Sequence, residues 1–481
     1  MNEQSPIEDV AMLPKDQGHV PFYKEHGTSH PRAVHGTFRK IKWALTVILL
    51  AFWHFAPFMR WDRGPGMPDQ AILVDMAGRR AYFFFIEIWP QEVYYLTGML
   101  LMAGVALFLM SATAGRVWCG FLCWQTVYTD LFVAVERLVV GDRSKMMEME
   151  RQAWTPKKIA RTVTLNAIWM VIGLGSGIAF VLYFGDAFQT LRDIFTGRAG
   201  EGTYAFIGII GGFCFLLGGH ARERVCVYMC PYGRFQSAMF DEHSLIVTYE
   251  AWRGEPRGPA RKGESFENRG HCIDCKACVN SCPTGIDIRD GNQLACIGCA
   301  LCIDACNDMM DRHNLPRGLI SYDSEYNVRA REKGLPTKKR VIRPRTLIYF
   351  GVFAAIGLGM LTSLALRSGT RADVLHERSP LYVVLSTGDI RNGYTYKILN
   401  MQRMAHHYTL GVEGLAGAKV EVVGGEPGAL DAPADNVATY RVYVTAPSAS
   451  VGGAKSDVTF VLTRDDGQVT KRESLFAGPS Q

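Results

Sequence analysis

The chain has 481 residues, is 48% apolar and 11% aromatic, and carries charge on only 20% of its residues. That is too apolar for one soluble domain and long enough for several. The formal net charge of +6 does not call for nucleic acid, because the basic residues gather beside apolar segments, where an anionic membrane face attracts them.

Residues 1–40 are polar and read as a cytoplasmic N-terminal segment. No small-residue cleavage site follows the first apolar run, so that run is expected to stay as an anchor. Residues 41–252 contain four charge-free stretches, Trp43 to Met59, Val93 to Gly115, Thr164 to Gly185 and Thr203 to Gly219, and a fifth follows at 346–366, from Thr346 to Leu366. Each lies within or near the roughly 17–25 residues a helix needs to cross a bilayer core. Buried helices of a soluble core are the plain alternative, and five such stretches weigh against it. Val117 to Val135 is apolar enough for a sixth span, but Asp130 interrupts it and basic residues flank it. It reads as a short helix lying in or dipping into the inner interface.

Lysine and arginine set the orientation. Arg116, Arg137, Arg143, Lys145, Arg151, Lys157 and Lys158 separate the second and third stretches, whereas only Arg192 and Arg198 follow the third. The first group is expected inside. The basic stretch from His220 to Arg345, which ends in "KKRVIRPR", falls on the same side, and everything after Leu366 falls outside. Arg63, Arg79 and Arg80 run against the rule in the first outer loop.

Two thiol segments repeat. "RVWCGFLCWQTVYTDL" follows the second apolar stretch and "RVCVYMCPYGRFQSAMF" the fourth. Both open with Arg-Val, hold a C-x3-C pair, and continue with a glutamine and aromatics, which reads as an internal duplication. On a helix, residues four apart share a face, so Cys119 would lie above Cys123 and Cys226 above Cys230. Two such pairs side by side would form a soft thiolate site suited to Cu(I) or zinc. Cysteine is also a common buried small residue, and Cys214, alone within a span, reads as packing.

Residues 253–270, polar and rich in glycine and proline, read as a flexible linker. In residues 271–320, Cys272, Cys275, Cys278 and Cys282 with Pro283 give C-x2-C-x2-C-x3-C-P, the bacterial run for a 4Fe-4S cluster. Cys296, Cys299, Cys302 and Cys306 repeat it, with Asn307 where proline often stands. The fourth cysteine of each run crosses to the other cluster in two-cluster ferredoxins. One cluster is therefore expected on Cys272, Cys275, Cys278 and Cys306, the other on Cys296, Cys299, Cys302 and Cys282. Zinc favours two separated pairs and is the weaker reading. Every cysteine but Cys214 falls in a proposed cytoplasmic segment or at an inner end, so these thiols read as ligands rather than disulfides.

Residues 321–345 are a charged linker. After the last apolar helix, residues 367–481 alternate apolar and polar, with an expected turn at Asn392-Gly393 and about seven short strands of an immunoglobulin-like sandwich without a disulfide. No catalytic set is visible there, so docking to a partner is its expected role. His54, His271, His313, Met229, Met239, Met309 and Met310 are weaker ligand candidates. His406 and His407 read as surface residues.

"RVWCGFLCWQTVYTDLF", "VCVYMCPYGRFQSAMFD", "HCIDCKACVNSCPTGIDIRDG" and "LPRGLISYDSE" together make the whole chain resemble the FixG/RdxA/CcoG family of cytochrome c oxidase accessory proteins. The resemblance implies a bacterial inner-membrane protein with two 4Fe-4S clusters on the cytoplasmic side and a periplasmic C-terminal domain. It also implies reduction of Cu(II) to Cu(I), in support of cbb3-type cytochrome c oxidase assembly. The family's paired cysteines match Cys119, Cys123, Cys226 and Cys230. The first pair departs from the family in being followed by Trp124 rather than proline. Partners implied are the membrane, a copper transporter or chaperone, oxidase subunits and an unknown electron donor; no nucleic acid is expected, and a homodimer is allowed. A quinol-linked subunit of the NapH/NosR type and a copper chaperone with structural clusters are the alternatives. The expected fold is a multi-domain membrane protein: an α-helical bundle of about five transmembrane helices, an inserted two-cluster bacterial ferredoxin-like domain, and a C-terminal all-β immunoglobulin-like sandwich.

Overall fold

The computed structural model describes residues 29–479 apart from 238, 262–263, 339 and 426–427. Five helices are long and apolar enough to cross a membrane: Thr37–Phe58, Pro90–Ala114, Pro156–Phe184, Glu201–Ala221 and Pro344–Ala365. They coincide with the five apolar stretches. The third starts before Thr164, because helical backbone continues through Lys157, Lys158 and Arg161, which a charge-free window excludes. Pro156 opens it, and the Thr155 hydroxyl caps it by accepting the Lys158 N–H at 3.2 Å. The third and fourth spans cross on glycine: a Cβ on Gly173 would lie 2.6 Å from the Gly211 carbonyl oxygen, and one on Gly177 2.4 Å from that of Ile207. Bare backbone is what lets these helices approach so closely.

The segment after the second span is not among the five membrane-length helices. Trp124–Val139 is a helix whose Val127, Tyr128, Asp130, Phe132, Val133 and Glu136 are buried against other elements. Asp130 does not interrupt it. Arg39 of the first span donates to both Asp130 oxygens at 2.9 and 2.8 Å, and the Lys42 ammonium lies 3.6 Å away. Burial alone would raise the Asp130 pKa, yet Lys42 and Arg39 hold it below the usual carboxylate range.

Between the first two spans lies a small antiparallel sheet, β1 (Ile72–Asp75), β2 (Arg80–Phe83) and β3 (Ile86–Ile88). Two of the three arginines that run against the orientation rule, Arg63 and Arg80, have partners here. Buried Arg63 donates to the carbonyls of Phe84, Pro68, Gln70 and Ala71, and Arg80 pairs with Glu87 at 3.1 Å.

The cysteine-rich region is framed by an antiparallel pair, β4 (Ile246–Tyr249) and β5 (Ile320–Asp323). The segment read as a flexible linker doubles back on itself. Its ends pair through Cys272 N–H to Gly254 O at 3.3 Å and Gly258 N–H to Cys272 O at 3.2 Å. Asp304, between two cysteines of the second run, caps the first span, accepting the N–H groups of Phe38 at 3.3 Å and Arg39 at 2.8 Å.

Chain contacts divide the molecule into one unit ending at Met360 and another from Leu361 to Gln481. The second unit is a two-sheet sandwich. Its strands are β6 (Thr370–His376), β7 (Val383–Val384), β8 (Ile390–Asn400), β9 (His406–Glu413), β10 (Lys419–Val422), β11 (Ala429–Ala432), β12 (Asn436–Ala446), β13 (Lys455–Arg464) and β14 (Val469–Ala477). One sheet runs β10-β12-β8-β6 with β7 on β8; the other runs β11-β9-β13-β14. Tyr394, Tyr396, Phe460 and Phe476 fill the space between them. Asn392 and Gly393 are not a turn but lie inside β8, and the buried Asn392 amide exchanges hydrogen bonds with the Ala477 backbone at 2.9 Å. His406 is also not a surface residue; it is buried, bonded to Asp465 at 2.9 Å and Gln402 at 2.6 Å, while His407 is exposed.

Candidate electron-transfer site

The two four-cysteine runs share one backbone plan. Asp274 and Lys276 have φ of +52° and +56°, and Gly298 and Ala300, at the same places in the second run, +66° and +59°. Left-handed residues flanking the second cysteine turn successive N–H groups into one concavity, which suits an anionic centre. A helix starts at once in each run, Ala277–Ser281 and Leu301–Arg312, so Cys278 and Cys302 lie in first turns. One cavity is bordered by Cys272, Cys275, Cys278 and Cys306 with Tyr249, Met309 and Met310. A second is bordered by Cys282, Cys296, Cys299 and Cys302, with Cys278 between the two. Apolar residues line most of the rest.

Burial pushes the thiols of Cys278, Cys296 and Cys306 up to about 12. Bare, they hold their protons at neutral pH, so a metal must displace them on binding. Cys275 is the one exposed thiol of the eight. Among the described residues, no three or more His, Cys, Asp or Glu side chains gather around a single-ion centre.

The paired thiols are not on α-helical faces. Cys119 lies in a wide turn, Trp118–Leu122, and Cys123 leaves it in extended backbone with φ −64° and ψ 130°. Cys226 and Cys230 repeat this, with turn Val225–Met229 and φ −77°, ψ 113° at Cys230. The second cysteine of each pair donates its N–H five residues back, to Trp118 O and Val225 O, both at 2.8 Å. Four residues before the first cysteine each repeat has positive φ, +59° at Gly115 and +45° at Arg222, with ψ of −121° and −123°. The duplication is therefore one of backbone as well as sequence.

Each repeat's glutamine reaches into the other. Gln125 donates to the Leu217 carbonyl at 2.7 Å, and buried Gln236 accepts from the Cys119 thiol at 3.3 Å. Burial pushes Cys119 and Cys226 up to about 12, and the charges of Cys123 and Cys230 act on both. The second cysteine of each pair thus acts on both first cysteines, but among the described residues no three of the four thiols converge on one ion position.

The first cysteines of both pairs abut the second cysteine run. Cys119 and Cys226 pack on Ile297, Cys299 and Leu301. A Cβ on Gly120 would lie 2.7 Å from Gly298 O and 2.9 Å from Cys299 Cα, so glycine alone allows the contact. Arg116, unremarked in sequence beyond its charge, donates to the Cys296 carbonyl at 2.6 Å, to that of Leu294, and to Gly233 O at 2.7 Å. Nothing in a linear sequence signals those carbonyls.

The weaker candidates have other roles. Half-buried Cys214 packs beside Phe132 and Trp169, and His54 bonds the Leu50 carbonyl of its own helix at 2.8 Å. His271 accepts from Arg253 at 3.0 Å, and Met229 is 63% exposed.

A family described as "4Fe-4S dicluster domain" matches residues 221–325, "4Fe-4S binding domain" matches 95–140, and "IG-like fold at C-terminal of FixG, putative oxidoreductase" matches 360–479. The chain is 44% identical to Protein RdxB of Cereibacter sphaeroides, covering 95% of this chain and 97% of that one. It is 42% identical to Nitrogen fixation protein FixG of Rhizobium meliloti, covering 94% and 92%, and 43% identical to Protein RdxA of Cereibacter sphaeroides, covering 92% and 94%. A solved structure of a FixG-related protein from Vibrio parahaemolyticus aligns over 23% of this chain and 96% of its own, at 22% identity and TM-score 0.20.

Proposed function

The chain belongs to the FixG/RdxA family of iron–sulfur membrane proteins, and from that premise we propose that it reduces Cu(II) to Cu(I) at the paired cysteines, for copper insertion into a cbb3-type cytochrome c oxidase. Cys272, Cys275, Cys278 and Cys306 would hold one 4Fe-4S cluster and Cys296, Cys299, Cys302 and Cys282 the other, a division that the two cysteine-lined cavities support. When bound, the clusters supply single electrons.

The observation that carries the reading is the contact of the Cys299 loop with the Cys119 turn. Electron transfer between centres needs short, packed separations, and here the two loops touch. The exposed Cys275 lies on the other cavity, which makes that face the entry for an electron donor. Cys119, Cys123, Cys226 and Cys230 would take copper as substrate; soft thiolates favour Cu(I) over Cu(II), which drives the reduction forward. The lysine and arginine distribution supports a bacterial inner-membrane placement with thiols and clusters cytoplasmic and the sandwich periplasmic, where it would dock oxidase subunits or a copper transporter or chaperone.

One observation favours a rival. The 4Fe-4S match at residues 95–140 spans Cys119 and Cys123, so the paired thiols would instead hold a further cluster in a quinol-linked carrier. Iron counting separates the two: about eight iron atoms per chain for two clusters, about twelve for three. The decisive experiment is anaerobic. Purified protein is reduced with dithionite, freed of reductant and given Cu(II), with the clusters followed by EPR and Cu(I) by a chromogenic chelator. Stoichiometric cluster oxidation with Cu(I) formed, slowed in the Cys226→Ser/Cys230→Ser double variant, is expected. Clusters that ignore Cu(II) but are oxidised by a quinone would sink the copper reading.

A further inference from the structure

Arg116 stands between everything the proposed reaction connects. It is 7% exposed, follows the left-handed Gly115, and lies three residues before Cys119 in chain order. One guanidinium nitrogen holds the carbonyls of Leu294 and Cys296, the start of the second cysteine run; the other holds Gly233, in the helix after the second thiol pair. Its Nε–H is buried and without a protein partner. Its charge faces Cys296, Cys119 and Cys226 together.

The duplication isolates this residue. Aligning the repeats on Gly115 and Arg222 sets Arg116 opposite Glu223, so the shared backbone does not require a cation here. The two turns differ in sign at this aligned place, although Arg222 and Arg224 flank Glu223 in the second.

We propose that Arg116 is the positioning residue that couples the second cluster site to the copper-binding thiols: its hydrogen bonds fix the loop against the turn, and its fixed charge stabilises both the reduced cluster and the Cu(I)-thiolate product. This rests on the copper reading above. The step it serves moves one electron from the reduced iron centre to Cu(II), leaving the centre oxidised and the metal as Cu(I), with a one-electron donor restoring the centre. Net charge and hydrogen bonding around the sulfurs are among the levers that set such potentials, and groups around a metal's ligands govern its affinity.

The test uses the full iron-loaded protein with Arg116→Met, which removes the charge, and Arg116→Lys, which keeps it but loses the fork. Midpoint potentials come from EPR-monitored titration, and Cu(I) affinity from chelator competition. Arg116→Met is expected to lower one cluster's potential while leaving the other's, and to weaken Cu(I) binding about 10- to 100-fold; Arg116→Lys retains the potential. Unchanged potentials and affinity in Arg116→Met overturn the proposal, as does a Lys variant as impaired as the Met variant, which would mark a purely structural bolt. If Arg116→Met does not load iron, the Lys variant decides alone: a wild-type potential supports the charge role, and a lowered one overturns it. Should Cu(II) fail to oxidise the wild-type clusters while Arg116→Met still lowers one potential, the copper reading falls and the coupling role of Arg116 at the cluster stands.

Discussion

The two thiol turns have the same backbone and opposite surroundings. Both first cysteines pack on the later cysteine run, but in the first turn Gly120 and Phe121 are buried and Gly120 meets that run's backbone, whereas in the second no residue of Val225–Met229 is buried and Met229 stands 63% exposed. Duplication supplied two equal halves, and burial made them unequal.

The comparison breaks most forcefully at Asp130, which fastens the helix after the first turn to the first span. Asp130→Asn leaves the Arg39 and Lys42 charges buried without their counter-charge, a loss of about 3–5 kcal/mol. Thermal melting in detergent should fall accordingly, and maleimide should reach Cys119 sooner while its rate at Cys226 stays the same. The same carboxylate predicts a pH effect. Its folded pKa is depressed, so its stabilisation is full above the unfolded value of about 3.9 and is lost as pH falls through the lower folded value. The wild-type melting point should therefore drop on acidification below about pH 4 more than that of Asp130→Asn, and parallel curves would refute the assignment.

Smaller in effect is Gly120→Ala. Its new methyl meets backbone atoms of Gly298 and Cys299, which cannot swing away, and overpacking of this kind costs about 1–3 kcal/mol. Iron content and EPR intensity should show one cluster destabilised and the other kept. Smallest is Val227→Ala, the matching place in the open turn, expected within about 0.5 kcal/mol and with full iron loading. Equal damage from the two changes would dissolve the distinction between the halves.

How much of this could be read beforehand follows from the range of the forces involved. The five spans and the doubled cysteine run were legible because they are written in local periodicity and spacing. The cysteines border two cavities that share Cys278, and the division of ligands between two clusters stays a proposal. The shape of the thiol turns was not legible: C-x3-C looks α-helical until a five-residue hydrogen bond widens the turn, and only tertiary packing selects that. Asp130 looked like an interruption because its partners, Arg39 and Lys42, lie about ninety residues away. Asn392-Gly393 has turn chemistry but is held straight by Ala477 on another strand. In each case a non-local partner overruled a local preference.

The cap on the first span has a temporal side. Arg39 donates its N–H to a carboxylate 265 positions later, and at about 5–20 residues per second that acceptor leaves the ribosome on the order of tens of seconds after the helix it completes. For that interval the start of the anchor has only water to satisfy its amides. It is finished only when Asp304 settles between Cys302 and Cys306, so the final seating of the first helix waits on the folding of the second cysteine run.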